Sequence, residues 1–292
     1  MTRKRKLKVR IDRIIIALVL LAAVIFGLFI LISNIFSTPE EVSDPNIDIP
    51  AIVADFSDLD FYIPENIDRY IAFQIRYPEL THADIVWRVN AHLDYEFYEK
   101  IIIIEDTTQP LLIVNKYYRL PREFRPPNLV ELPNGMLVTA ETRTAFTAMQ
   151  EAARRDNVTL SVASAFRSFD FQEQLYNSFL DRHPQEVVDT FSARPGHSEH
   201  QTGQAIDIMG ANGDMLQFGG TAEHQWVIEN AHRFGFIIRY QANIEQFTGF
   251  TDEPWHLRYV GVEIATSMRE KGITILEEYV IRYISPRLNQ RR

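Results

Sequence analysis

Two short stretches near the C-terminus constrain the fold of this 292-residue chain more than any other feature. The first is Ser198-Glu199-His200-Gln201-Thr202-Gly203-Gln204-Ala205-Ile206-Asp207, and the second is Glu253-Pro254-Trp255-His256. Together they offer two imidazoles and a carboxylate, with a further carboxylate three residues before the last imidazole. Two neutral His and one Asp suit Zn²⁺, with a fourth position left for water. A spare Glu beside such a water is what metal-assisted hydrolysis needs. A fold that uses this set must bring residues distant in the chain to one point.

The spacing sets local requirements. His200 and Asp207 are an odd number of residues apart, so one regular strand would aim them at opposite faces. The Thr202-Gly203 step can break that regularity and leave His200 in a loop with Asp207 on a strand. Glu253 and His256 also have an odd separation, and a bend at Pro254 would let both face one cavity. H-x6-D is a weak pattern by itself, and Asp207 alone could serve as a turn or cap residue. Spacing therefore leaves a structural reading open beside the metal one. His183, His197, His224 and His232 read as structural, and His82 and His92 as surface or packing residues.

Other chemistries can be tested against the letters. The chain has no cysteine, which excludes disulfides, Cys-ligated metal and Cys nucleophiles. No S-x-x-K or G-x-S-x-G nucleophile motif occurs, and neither does a P-loop or G-x-G-x-x-G. A glycosidase pair could be drawn from Glu199 with Glu253 or Asp207, but it leaves His200 and His256 without a role.

At the N-terminus, Arg3, Lys4, Arg5, Lys6, Lys8, Arg10 and Arg13 precede an uncharged apolar run from Ile14 to Ile32. The run is long enough to cross a bilayer, so residues 14–36 are expected to form a transmembrane helix. Residues 1–13 then stay cytoplasmic and the rest lies outside. A cleaved signal peptide is the alternative, although its apolar core is usually shorter. The net charge of −9 divides into +6 over residues 1–13 and −15 over the remainder. So acidic an exterior argues against nucleic-acid binding.

Residues 37–50 read as an acidic, Pro-containing linker and 51–110 as a small membrane-proximal region with no evident chemistry. Within it, 67–73 and 83–90 look helical, with Thr81 as an N-cap. Residues 111–292 form the expected main domain. Strands are expected at 101–104, 111–115, 159–165, 204–209, 236–240 and 255–260. Helices are expected at 141–155, 170–182, 185–190, 223–233, 263–269 and 276–284. Without regular βαβ spacing, the pattern favours an α+β fold with a small antiparallel sheet flanked by helices.

The segment Ser198–Asp207 resembles the S-x-H-x-x-G-x-A-x-D signature of the VanY-like D-alanyl-D-alanine carboxypeptidases. Glu253-Pro254-Trp255-His256-Leu257-Arg258-Tyr259-Val260-Gly261 is similar to that family's E-P-W-H-x-R-Y-V-G element. Asn115-Lys116 with Leu120-Pro121, and Phe166-Arg167-Ser168 with Gln172, resemble two further motifs, so the likeness covers roughly 111–285. It implies a fold of the Hedgehog/D,D-peptidase type. It also implies zinc ligands His200, Asp207 and His256, general base Glu253, and substrate contacts from Arg167, Gln172 and Ser198. Trp255 would wall the pocket or join the core. Arg presents a planar fork suited to a terminal carboxylate. The family usually has Tyr where Phe166 stands, so that hydroxyl is missing here. The implied activity is removal of the terminal D-alanine from peptidoglycan stem peptides. L,D-carboxypeptidase action on tetrapeptide stems, cross-link endopeptidase action and a non-catalytic wall-binding module are the alternatives.

Overall fold

The computed structural model describes residues 55–285. No helix among these is long and apolar enough to cross a membrane. The expected tail (1–13), membrane span (14–36) and linker (37–50) lie outside the described residues.

The strands are β1 (Ile102–Ile103), β2 (Tyr118–Arg119), β3 (Leu129–Glu131), β4 (Leu137–Thr139), β5 (Ser161–Ser164), β6 (Ala205–Met209), β7 (Phe236–Tyr240) and β8 (Glu253–Tyr259). The helices are α1 (Ile67–Arg76), α2 (His82–Asn90), α3 (Ala140–Arg155), α4 (Phe169–Leu180), α5 (Gln185–Val188), α6 (Ala222–Asn230), α7 (Glu245–Thr248), α8 (Val262–Lys271) and α9 (Leu276–Tyr279). Strands β5-β6-β8-β7 form a four-stranded sheet in that order, every pair antiparallel. The α+β expectation agrees with this mixed architecture.

Alternation along the strands divides the sheet into two faces. One face places Val162, Ile206, Ile208, Phe236, Ile238 and Leu257 in the main core. There they meet Phe146, Met149 and Ala153 of α3 and Trp226 and Val227 of α6. Asp207 and His256 alternate to the opposite face, where the functional cavity lies. Capping fixes where the helices begin: Thr139 accepts from the Thr142 N–H to start α3, and Ser168 accepts from the Phe171 N–H to start α4.

Two readings of the sequence differ from the structure. Residues 111–115 are not a strand; Leu112 and Val114 are buried in a small cluster with Leu120, and the chain there is irregular. The β3–β4 hairpin was not anticipated, although Asn134-Gly135 between apolar runs is its signal. Gly135 takes the required left-handed backbone, φ +81°. The 55–110 region packs α1 on α2 through Tyr70, Phe73, Ile85, Val86 and Val89. Trp87 of α2 joins Ile244 and Ile275, and Arg282 pairs with Asp84 at 2.7 Å.

Gly203 ends the turn that carries His200, with φ +66°. A Cβ there would stand 2.8 Å from the Leu129 side chain. Gly203→Ala is expected to destabilise the protein by about 1–3 kcal/mol through backbone strain and this contact, measured as a lower urea midpoint with unchanged m-value.

Candidate functional site

The sheet register accounts for the meeting of the distant side chains. Asp207 on β6 stands directly opposite His256 on β8. Their paired side chains bring His256 Nδ1 to 3.1 Å from Asp207 Oδ1. His200 arrives from the 3₁₀ turn Glu199–Thr202, and its Nε2 lies 3.3 Å from Asp207 Oδ2. Ligand atoms of His200, Asp207 and His256 all fall within 4.8 Å of one another. The odd Glu253–His256 spacing is absorbed by a bulge. Between the pairs Ile238–Leu257 and Tyr240–Glu253, β7 advances two residues while β8 advances four. Glu253 Oε2 is thereby brought within 3.6 Å of His256 Nδ1.

Hydrogen bonds behind the two rings decide which nitrogen faces inward. His200 Nδ1 lies 2.7 Å from the Ala165 carbonyl, so it carries the proton and leaves Nε2 with a lone pair toward Asp207. His256 Nε2 lies 3.3 Å from the Glu199 carboxylate, which leaves Nδ1 toward Asp207. A carbonyl or carboxylate behind each imidazole is the usual support of metal-binding histidines. His200 Nε2 and Asp207 Oδ1 are buried without a hydrogen-bond partner. Unpaired buried polar atoms are costly, and a divalent cation between these donors would satisfy them. The donor set thus fits a metal such as zinc.

The site opens into a cavity of about 450 Å³ lined by Arg167, Ser198, Glu253 and Trp255 among others. Burial lifts the Glu253 carboxyl to about 7, against the pull of His256. Arg167 donates from Nε to Gln172 Oε1 at 3.0 Å and from Nη1 to Ser164 Oγ at 2.9 Å. Gln172 is buried, does not line the cavity, and spends its amide N–H on the Ala193 carbonyl at 2.8 Å. Its geometry is that of a support behind Arg167. Ser198 Oγ caps the His200 turn and also faces the cavity. Trp255 packs against the main core and lines the cavity as well. Phe166, in place of the family's Tyr, lies under the guanidinium of Arg125 at 4.8 Å.

The profile of the family described as VanY, D-alanyl-D-alanine carboxypeptidase, matches residues 135–262. A putative carboxypeptidase, YodJ of Bacillus subtilis (strain 168), is 37% identical over 188 residues, covering 60% of this chain and 68% of that one. The chain belongs to the VanY family. The structure of the LdcB LD-carboxypeptidase superposes with a TM-score of 0.58 at 34% identity, over 63% of this chain and 91% of that one. A mutant of the vancomycin-resistance D,D-pentapeptidase VanY, solved with Zn(II), superposes with a TM-score of 0.52 at 32% identity, over 58% and 97%. The chain spans about two thirds of the length of the curated VanY-family relatives it matches.

In this VanY-family chain, sequence reasoning missed the charged layer beneath the site. From the sequence Glu199 reads only as a candidate glycosidase acid, and no local pattern marks Arg239 or Glu277 as its partners. Glu199 Oε1 accepts from Arg239 Nε at 2.9 Å and lies 3.4 Å from Arg258 Nη1. Arg239 Nη2 donates to Glu277 Oε1 at 2.6 Å, which also accepts from Asn115 Nδ2 at 2.8 Å. Burial disfavours the Glu199 anion, yet the attraction of Arg239 and Arg258 holds its carboxyl well below the usual range. Arg258 thus stands behind His256, reaching it through Glu199. Tyr240, on β7 opposite Glu253, also lines the cavity and packs its ring 4.9 Å from that of His256. The R-Y pair on an apolar strand was the available signal for Arg239 and Tyr240.

Metal uptake at this site would carry a proton signature. Burial pushes the His256 imidazolium down, but the attraction of the Asp207 and Glu199 carboxylates prevails and raises it to about 9. A cation on Nδ1 must displace that proton. Zinc affinity is therefore expected to rise with pH up to about 9. At least one proton should be released per zinc near pH 7.5, read by calorimetry in buffers of different ionisation heat. Affinity independent of pH between about 6 and 9 would exclude His256 as a ligand.

Proposed function

We propose that this protein is a zinc-dependent D,D-carboxypeptidase that removes the terminal D-alanine from peptidoglycan stem peptides. His200 Nε2, Asp207 and His256 Nδ1 hold the zinc. The observation that carries this reading is the buried convergence of those donors with two of their atoms unpaired, beside Glu253 in the same cavity. The zinc complex of the VanY homologue supports the choice of metal. Placement outside the cytoplasm, anchored by a transmembrane helix over 14–36, is part of the same proposal and is supported by the apolar run Ile14–Ile32 and the basic residues before it.

The bound ion would polarise the scissile carbonyl and acidify a water. The chain's own groups carry the remaining steps. Arg167 receives the substrate's terminal carboxylate on the side of its guanidinium left free by Gln172, Ser164 and Asp207, whose Oδ2 lies 3.5 Å from Nη1. Its Nη2 has no partner among the described residues. That contact selects a free C-terminus and fixes the last peptide bond. Glu253, lifted to about 7, is suited to accept the water's proton near neutrality and deliver it to the departing amine. His256 stays oriented because Glu199 holds its far nitrogen. Trp255 and the neighbouring apolar groups exclude bulk water.

A second reading, L,D-carboxypeptidase action on tetrapeptide stems, is favoured by the likeness to LdcB, which is no weaker than that to VanY. Purified protein incubated with defined tetra- and pentapeptide stems, followed by mass spectrometry with and without chelator, separates the two. Loss of one D-alanine from the pentapeptide, abolished by chelator, is expected; no cleavage of either stem would refute both readings. Glu253→Gln is expected to keep bound zinc and lower kcat by roughly 100-fold or more. An unchanged kcat would remove Glu253 from the mechanism.

A further inference from the structure

The region 51–110 carries no catalytic motif, yet one of its residues reaches the back of the cavity wall. Tyr98 has a left-handed backbone, φ +67°. The other non-glycine residues of positive φ among those described are His92, Asn157 and Asn243. Those types tolerate this conformation, whereas a bulky aromatic residue holds it only when its surroundings compel it. The surroundings of Tyr98 are specific. The guanidinium of Arg194 lies 4.0 Å over its ring, the ammonium of Lys116 lies 5.1 Å from the ring centre, and the imidazole of His197 meets the ring edge-on at 5.0 Å. The Tyr98 hydroxyl accepts from the Arg194 N–H at 3.4 Å. Arg194 is closed by two bonds to the Asp189 carboxylate, and the Asp189 carbonyl accepts from the Lys116 ammonium. The turn 189–197 is thus gripped from behind by Tyr98 and Lys116.

That turn supplies Phe191, Ser192 and Ala193 to the cavity wall. The Ala193 carbonyl accepts from Gln172 Nε2, and Gln172 Oε1 accepts from Arg167 Nε. A continuous series of contacts therefore runs from Tyr98 through Arg194 and Ala193 to Gln172 and Arg167. We propose that Tyr98 is a positioning residue for the Arg167 guanidinium and so sets affinity for the terminal carboxylate of the substrate. The inference rests on the reading of Arg167 given above. It assigns the region before the motif-bearing domain a part in substrate recognition.

The test compares full-length wild type, Tyr98→Phe, Tyr98→Asn and Arg194→Gln on a pentapeptide stem with a free C-terminus and on its C-terminal amide. Asn suits the left-handed backbone but removes the ring. Tyr98→Asn and Arg194→Gln should raise KM for the free acid about tenfold, with kcat within about threefold and zinc content unchanged. Preference for acid over amide should shrink in proportion. Tyr98→Phe, which keeps the ring, should stay within about twofold of wild type. A folded Tyr98→Asn, or an Arg194→Gln, with wild-type KM and wild-type preference would overturn the proposal. Should Tyr98→Asn fail to fold, Arg194→Gln decides alone. Wild type that cleaves acid and amide equally would instead refute the Arg167 contact itself, a separable result.

Discussion

The site depends on one carboxylate that stands in the cavity wall behind His256. Glu199 is fully buried, and it keeps its charge because Arg239 and Arg258 stand against it. A buried charge is tolerable only when paired and hydrogen-bonded in this way. With that charge secured, Glu199 fixes the proton on His256 Nε2 and turns Nδ1 to the ligand position. The arginines take their own places from distant parts of the chain. Arg258 reaches the Leu112 carbonyl and Gln204, while Arg239 reaches Glu277 of α9. A single ring orientation is therefore underwritten by segments spread over most of the described chain.

This layer explains what the sequence could and could not reveal. His200, Asp207, His256 and Glu253 were legible because their types and their motif context name their chemistry. Arg167 and Ser198 were singled out by the same motif context, and both line the cavity. Glu199 stands inside the same motif but was not read as a support. Its partners, Arg239 and His256, lie 40 and 57 residues away. No periodicity of strand or helix connects such positions. Gln172, which the family resemblance implies as a substrate contact, is buried and braces Arg167.

The elements themselves were mostly readable from apolar spacing and caps. The helix beginning after Thr139 and the strands around Ile206 and Leu257 follow the expected pattern. The irregular chain at Leu112 and Val114 did not, because two buried apolar residues two apart satisfy a strand and a packed loop equally well. The bulge in β8 was legible only as a need for a bend near Pro254. Its form depends on the pairing with both β6 and β7, which no local stretch specifies.

The two imidazoles present different nitrogens to the centre, and this asymmetry has a mechanical consequence. His200 reaches inward with Nε2, the atom farther from its main chain, so its turn would stand off from an ion held there. His256 offers Nδ1, the atom nearer its main chain, which draws β8 close. A small slide of that strand would be transmitted to the coordination sphere almost undamped, whereas the turn bearing His200 has a longer lever to absorb displacement. The central place of β8, flanked by β6 and β7, gives the shorter arm the stiffer mount.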